Sequence, residues 1–114
     1  GVSGLQARLR RDIANAQWLA AQVDAADARN AGWRRLAPVP LQTLALRHEP
    51  PGVDLDGHTQ QWVQRINASG AAYLTPAKLD GRWMVRVSIG SALTERAHVE
   101  KLWERMRAAA EQHR

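Results

Sequence analysis

Hydrophobic residues recur at steps of three and four along residues 3–28 of the chain. This spacing places them on one face of an α-helix. The apolar stripe consists of Leu5, Leu9, Ile13, Ala16, Ala20 and Val23. The rest of the helix surface is expected to be solvated, with Arg8, Arg11, Asp12 and Asn15 on it. The pattern therefore predicts a long helix whose apolar stripe has to be covered by a neighbour.

Two stretches with an alternating pattern, 73–79 and 82–89, lie on either side of Asp80-Gly81. Asp-Gly between alternating runs favours a type I′ hairpin turn, because both turn residues must take a positive φ. Side chains alternate between the two faces of a strand. The second strand therefore has Trp83, Val85, Val87 and Ile89 on one face and Arg82, Met84, Arg86 and Ser88 on the other.

Segments rich in glycine, asparagine and proline separate the first helix from this hairpin. A loop at Asn30 and Gly32 is followed by a predicted short edge strand over residues 33–36. Residues 41–48 alternate again and predict a longer strand. The prolines and glycines of residues 49–57 then predict another loop.

Two further helices are predicted from capping signals and apolar stripes. Asp56 is the expected N-cap of a helix over residues 57–69, which Gly70 ends. After the hairpin, Thr94 is the expected cap of a helix over residues 93–110. The inner faces comprise Trp62, Val63 and Ile66 in the first of these helices, and Val99, Leu102, Trp103, Met106 and Ala110 in the second.

The predicted order of elements is α-β-β-α-β-β-α. An antiparallel sheet of about four strands with helices on one face buries all these stripes, which is an α+β architecture. Four of the five tryptophans are interpreted as core residues, and Trp33 is left open. At 114 residues, the chain 1–114 is predicted to be a single small domain.

Composition narrows the possible functions. The chain has no cysteine, which excludes disulfides and thiolate chemistry and fits a reducing compartment. It has no apolar run of membrane-spanning length, so we expect no membrane partner. The net charge of +5 would suit nucleic acid, but the arginines are scattered over all predicted elements. That scatter argues against a nucleic-acid partner and is typical of solvated faces.

Several short motifs resemble the group II pyridoxal-phosphate-dependent amino acid decarboxylases. This family includes the aromatic-L-amino-acid, tyrosine, histidine and glutamate decarboxylases. The strongest likeness is a strand, break and helix at the C-terminal end, carried by Val85, Arg86, Val87, Ser88, Ile89, Thr94, Val99 and Trp103. The stretches GVSGLQARLRRDI, APVPLQTLALRHEP and QQWVQRINASG are also similar to family segments. Many relatives have a cysteine and a phenylalanine where this chain has Leu44 or Ala45 and Leu46.

The resemblance implies the C-terminal small domain of such an enzyme, in the fold-type I class of pyridoxal enzymes. Residues 1–28 would then lead from a large domain, and residues 33–114 would form the sheet and its helices. The implied setting is a cytoplasmic homodimer in amino acid metabolism, with pyridoxal phosphate and an amino acid substrate held mainly by the large domain. Whether that substrate is aromatic or acidic stays open.

Cofactor attachment requires a lysine that forms a Schiff base beside a phosphate site. The chain has only Lys78 and Lys101, and neither has a glycine-rich phosphate cradle nearby. Both are predicted to be surface residues. We therefore expect this chain alone to bind no pyridoxal phosphate and to catalyse no decarboxylation.

Arg86 is the candidate functional residue. It lies in the middle of a strand, opposite the apolar face, where an arginine is costly unless it is paired or faces another protein surface. In the family, the matching arginine lies on the small-domain face that meets the large domain. In the glutamate-type members it contacts the substrate carboxylate, which a bidentate guanidinium suits. A purely structural arginine paired with an acid or a carbonyl is the alternative.

The other polar residues offer weaker candidates. The histidines are His48, His58, His98 and His113, and their spacing matches no metal motif. Asp54 and Asp56 are better explained by helix capping than by acid–base chemistry. Ser91 and Thr94 have no adjacent base that would activate them.

Two hypotheses from different classes remain. The first is the decarboxylase small domain, and the second is a free-standing α+β module that binds a ligand or nucleic acid. A free module should have a polar outer surface. A domain that belongs to a larger enzyme should leave apolar surface exposed on its first helix or its sheet.

Overall fold

The computed structural model describes residues 2–36, 43–69, 74–89 and 95–111. Within them the helices are α1 (Val2–Ala28), α2 (Leu55–Ser69) and α3 (Arg96–Ala110). The strands are β1 (Trp33–Arg35), β2 (Thr43–His48), β3 (Thr75–Leu79) and β4 (Arg82–Ser88). The predicted α-β-β-α-β-β-α order and the α+β class are confirmed.

The strands form a single antiparallel sheet in the order β1-β2-β4-β3. The β3–β4 hairpin turns at Asp80 and Gly81, whose φ angles are 51° and 78°. Both are positive, so the predicted type I′ geometry is confirmed. Pro76 is tolerated in β3 because that strand pairs only with β4 and forms an edge of the sheet.

The hydrophobic core lies between one face of the sheet and the three helices. Leu44, Leu46, Val85 and Val87 supply the sheet side and are fully buried. Trp33, which the sequence left open, is at the centre of the core. Its ring lies 5.5 Å from that of Trp62 and 5.0 Å from that of Trp103, both edge-on. Trp18 and Trp83 are only partly buried, so the expectation of four core tryptophans without Trp33 is wrong.

The predicted stripe of α1 is covered along only part of its length. Ala16, Ala20 and Val23 are buried, whereas Leu5 and Leu9 are 66% and 44% exposed. The polar side of the helix also differs from the prediction. Asp12 and Asn15, expected at a solvated surface, are 5% and 2% exposed. Their burial occurs where α1 meets α3, because Asn15 accepts a hydrogen bond from Arg96 Nε at 2.8 Å.

The start of α2 corrects one capping prediction. Helix α2 begins at Leu55, and Asp54 caps it by accepting the Gly57 N–H at 3.3 Å. Asp56 is therefore not the N-cap. Helix α3 begins at Arg96, and the side chain of its N-cap residue, Glu95, makes no cap hydrogen bond. The predicted roles of Gly70, Ser91 and Thr94 concern positions outside the described residues.

Candidate domain-contact surface

Arg86 lies in the middle of β4, directly opposite Ala45 of β2 and Thr75 of β3. With these two neighbours it lies on the sheet face opposite the buried Val85 and Val87, here called the open face. Arg86 is exposed, and among the described residues it makes no hydrogen bond or ion pair. Its two cross-strand neighbours are small, so they leave the guanidinium accessible. Arg86 is thus available to a group from outside this part of the chain.

Arg47, in the neighbouring strand β2, has the opposite environment. Its side chain is only 3% exposed, and Nη2 donates to Asp56 Oδ1 at 2.7 Å. The same carboxylate oxygen accepts the Trp83 N–H at 3.0 Å. Asp56 therefore ties α2 to β2 and β4, and the charge of Arg47 is neutralised within the domain. Removing Asp56 would leave the buried charge of Arg47 without compensation.

Both lysines are surface residues in the structure. Lys78 Nζ lies 5.3 Å from the centre of the Trp83 ring, a cation–π contact at the edge of the sheet. Lys101 is exposed on α3. A lysine that forms a Schiff base has to be desolvated next to a phosphate site, and neither lysine has that environment. The residues of this chain do not fit covalent attachment of pyridoxal phosphate.

The first half of α1 carries the largest uncovered apolar surface in the described part of the chain. Leu5 and Leu9 are its exposed leucines. Further along the helix, the buried atoms Asp12 Oδ1 and Asn15 Nδ2 have no hydrogen-bond partner among the residues that the structure describes. We call the surface formed by Leu5 and Leu9 the α1 surface, with Asp12 and Asn15 at its border. Exposed apolar side chains beside unsatisfied polar atoms are typical of a surface that another protein segment covers.

The structure also brings together two histidines that the sequence treated separately. His48 Nδ1 and His58 Nε2 lie 2.9 Å apart, and both residues are buried. The spacing of ten residues between them matched no metal motif, and nothing local in the sequence predicts the contact. His98 is exposed, and His113 lies outside the described residues. No group of three metal-binding side chains occurs among the residues that the structure describes.

Comparison with known proteins shows which proteins this chain resembles. No protein-family model matches the chain. It is 32% identical over 111 residues to the 4-hydroxyphenylacetaldehyde synthase of Rhodiola rosea, covering 97% of this chain and 22% of that protein. A tryptophan decarboxylase of Camptotheca acuminata is 29% identical over 115 residues, again with 97% and 22% coverage. The crystal structure of Oryza sativa TDC with PLP and tryptamine superposes with a TM-score of 0.86 and 25% identity, over 98% of this chain and 24% of that one.

These likenesses define an α+β domain that is similar in fold to part of the pyridoxal-dependent decarboxylases. The chain belongs to the group II pyridoxal-phosphate-dependent amino acid decarboxylase family and matches the C-terminal part of its members. It spans about 22% of the length of the curated relatives. In the described residues no helix has both the length and the apolar character needed to cross a bilayer.

Proposed function

We propose that this chain is the small domain that completes and covers the active site of a pyridoxal-dependent decarboxylase acting on aromatic amino acids. The α1 surface is the observation that carries the proposal. Residues 1–28 would lead from the large domain, and residues 33–114 would form the covering domain. The relatives support the aromatic class, since their names refer to tryptophan and to a hydroxyphenyl product.

The energetics of the α1 surface support a covering partner. Burying a leucine side chain stabilises a protein by roughly 1.5–3 kcal/mol. Leu5 and Leu9 do not contribute that amount in this chain, because they are exposed. The buried Asp12 oxygen and Asn15 amide nitrogen, next to these leucines, lack partners among the described residues. A large domain that covers Leu5 and Leu9 would bury their exposed apolar area.

Arg86, on the open face of the sheet, is assigned to the same contact with the large domain. It is exposed and has no acidic partner among the described residues, unlike the buried Arg47. An acid or a backbone carbonyl of the large domain would pair with it. A substrate carboxylate, as in the glutamate-type members, is the second role for this residue. The aromatic relatives favour the domain contact.

The remaining features of the proposal concern the whole enzyme. Pyridoxal phosphate would supply the electron sink for loss of the carboxyl group, bound by a lysine of the large domain. This chain alone would bind no pyridoxal phosphate, because Lys78 and Lys101 are surface residues. A homodimer in the cytoplasm is the proposed state, in keeping with the absence of cysteine.

The experiment compares the 114-residue chain with the protein encoded by its complete open reading frame. Both are incubated with pyridoxal phosphate and with tryptophan, tyrosine or glutamate, and carbon dioxide release and bound-cofactor absorbance are measured. We expect both signals only in the longer protein, with an aromatic substrate. Turnover by the 114-residue chain alone would contradict the proposal. So would a reading frame that encodes no Ser-x-His-Lys-type segment upstream.

Arg86 is tested in the longer protein with Arg86→Gln and the exposed control Arg82→Gln. A domain contact predicts that Arg86→Gln lowers the apparent Tm and leaves KM nearly unchanged. A substrate contact predicts a KM raised about tenfold or more, since a charge-assisted hydrogen bond is worth about 1.5–3 kcal/mol. No change in either quantity would remove Arg86 from the site. Salt-dependent binding of an oligonucleotide by the 114-residue chain would instead favour a nucleic-acid module.

A further inference from the structure

The charges of α1 are divided between its two halves. Residues 1–11 contain three arginines, Arg8, Arg10 and Arg11, and no acidic residue. Residues 12–28 contain three aspartates and no basic residue. The change of sign coincides with a change in burial, because every position from 3 to 11 is exposed and the first buried position is Asp12. Charge and burial therefore divide the helix at the same point.

The packed half of α1 has a charge that is matched within this domain. Arg35 of β1 binds Asp24 through two hydrogen bonds, from Nε to Oδ1 at 3.1 Å and from Nη2 to Oδ2 at 3.0 Å. Guanidinium and carboxylate groups prefer this bidentate geometry, which fixes the position of one element on the other. At this contact, the strand that packs against α1 supplies the charge of opposite sign.

The exposed half of α1 has charges that are not matched. Arg8, Arg10 and Arg11 make no hydrogen bond or ion pair with the described residues. Arg8 and Arg11 are three positions apart and are therefore neighbours on the helix surface, so their like charges repel each other. An acidic surface placed against this half would replace the repulsion with attraction.

The three arginines border the exposed leucines on both sides. Successive residues of an α-helix are separated by about 100° around its axis, so Arg8 and Arg10 lie about 100° to either side of Leu9. Arg11 lies on the same side as Arg8. Leu5 and Leu9 are 66% and 44% exposed. The α1 surface is thus apolar along its centre and basic along both margins.

We propose that the α1 surface docks into an apolar groove of the large domain, and that carboxylates on both sides of this groove pair with Arg8, Arg10 and Arg11. This inference rests on the proposed function and specifies the chemistry of the partner surface. The groove buries the two leucines, and its acids neutralise the three positive charges. The apolar contact supplies affinity, and the ion pairs fix the position of the helix in the groove.

The test uses the protein encoded by the complete open reading frame. Amide hydrogen exchange of residues 3–11 is measured in this protein and in the 114-residue chain. We expect exchange to be about tenfold or more slower in the longer protein, because a docked helix opens less often. The triple variant Arg8→Glu/Arg10→Glu/Arg11→Glu of the longer protein should lose about tenfold of this protection.

The matched control is the triple variant Arg29→Glu/Arg82→Glu/Arg105→Glu. It makes the same change in net charge at exposed arginines outside α1, so the protection of residues 3–11 should stay as in the wild type. Equal losses in the two triple variants would show that Arg8, Arg10 and Arg11 have no acidic partner. Equal exchange in the longer protein and the 114-residue chain would show that no groove covers the helix. Either result overturns this inference. Carbon dioxide release by the longer protein tests the proposed function separately.

A second measurement serves if the charge-reversal variant does not fold. The variant Arg8→Lys/Arg10→Lys/Arg11→Lys keeps the charges and supplies amines, which a carbodiimide couples to carboxylates in contact with them. Mass spectrometry should find cross-links from these positions to aspartate or glutamate of the large domain. Cross-links confined to the aspartates of α1, or their absence, would overturn the proposal. So would protection of residues 3–11 in the 114-residue chain by phosphatidylserine vesicles or by an oligonucleotide, which would assign the arginines to a lipid surface or to nucleic acid.

Discussion

The two halves of α1 have the same apolar pattern but opposite environments. From residue 3 to residue 11 every position is exposed, including Leu5 and Leu9. From residue 16 onwards the stripe is buried against β1 and α3. The periodicity that predicts a helix is equally good in both halves. The comparison shows that an amphipathic pattern identifies a face to be covered, whereas the neighbour that covers it depends on the rest of the fold.

The largest expected effect comes from the packed half of the helix. Leu19 is fully buried, so Leu19→Ala should lower the free energy of unfolding of the 114-residue chain by about 2–5 kcal/mol. Leu9→Ala is the matched control in the exposed half and should change it by about 0.5 kcal/mol or less. Urea titrations followed by circular dichroism measure both. Equal losses would mean that the two halves of α1 are buried alike.

Substitutions of two asparagines should have an intermediate effect on the free energy of unfolding, and the two losses should differ. Asn67 donates to the Leu74 carbonyl at 3.0 Å and accepts the Leu74 N–H at 2.7 Å, which ties the end of α2 to the start of β3. Asn67→Ala should therefore cost about 1–3 kcal/mol. Asn15→Ala removes one bond to the exposed Arg96 and one amide that is already unsatisfied, so its cost should be below about 1 kcal/mol.

The two asparagine variants are compared by thermal unfolding at one pH. A larger loss of stability for Asn15→Ala than for Asn67→Ala would show that the polar side chains beside the α1 surface already have their hydrogen-bond partners within the chain. That outcome would weaken the proposed contact with a large domain, because the polar part of the surface would need no partner.

The smallest change in stability should come from Leu5→Ser combined with Leu9→Ser. Both side chains are exposed, so the free energy of unfolding should change by about 0.5 kcal/mol or less per residue. The double variant should instead reduce self-association of the 114-residue chain, measured by sedimentation equilibrium. Arg8→Ser is the control on the same half of the helix. A double variant that unfolds would show that these leucines stabilise the isolated chain.

Much of the fold could be predicted because its signals are local. The β3–β4 hairpin follows from alternation and from Asp80-Gly81, whose backbone takes the two positive φ angles the turn requires. The stripe of α3, from Val99 to Ala110, was identified from its spacing and is buried as expected. Arg86 was identified from alternation as a residue of the open face, and it is exposed there.

Capping and burial of polar residues were predicted less well. Asp54 and Asp56 are two residues apart, and either could cap α2 by its residue type alone. Asp54 is the cap because Arg47 and Trp83 bind Asp56. Asp12 and Asn15 were assigned to solvent because polar residues usually lie there. Their burial depends on how α1 meets α3, and this information is absent from the helix itself.

The sequence by itself determined the order of helices and strands, the α+β class and the likeness to a decarboxylase small domain. These depend on backbone sterics, side-chain periodicity and short motifs, all of which act over a few residues. Only the tertiary structure decided that His48 meets His58, that Asp56 neutralises Arg47, and that Leu5 and Leu9 stay uncovered. Each of these depends on contacts between segments that are distant in the chain, and no local pattern encodes the distance between them.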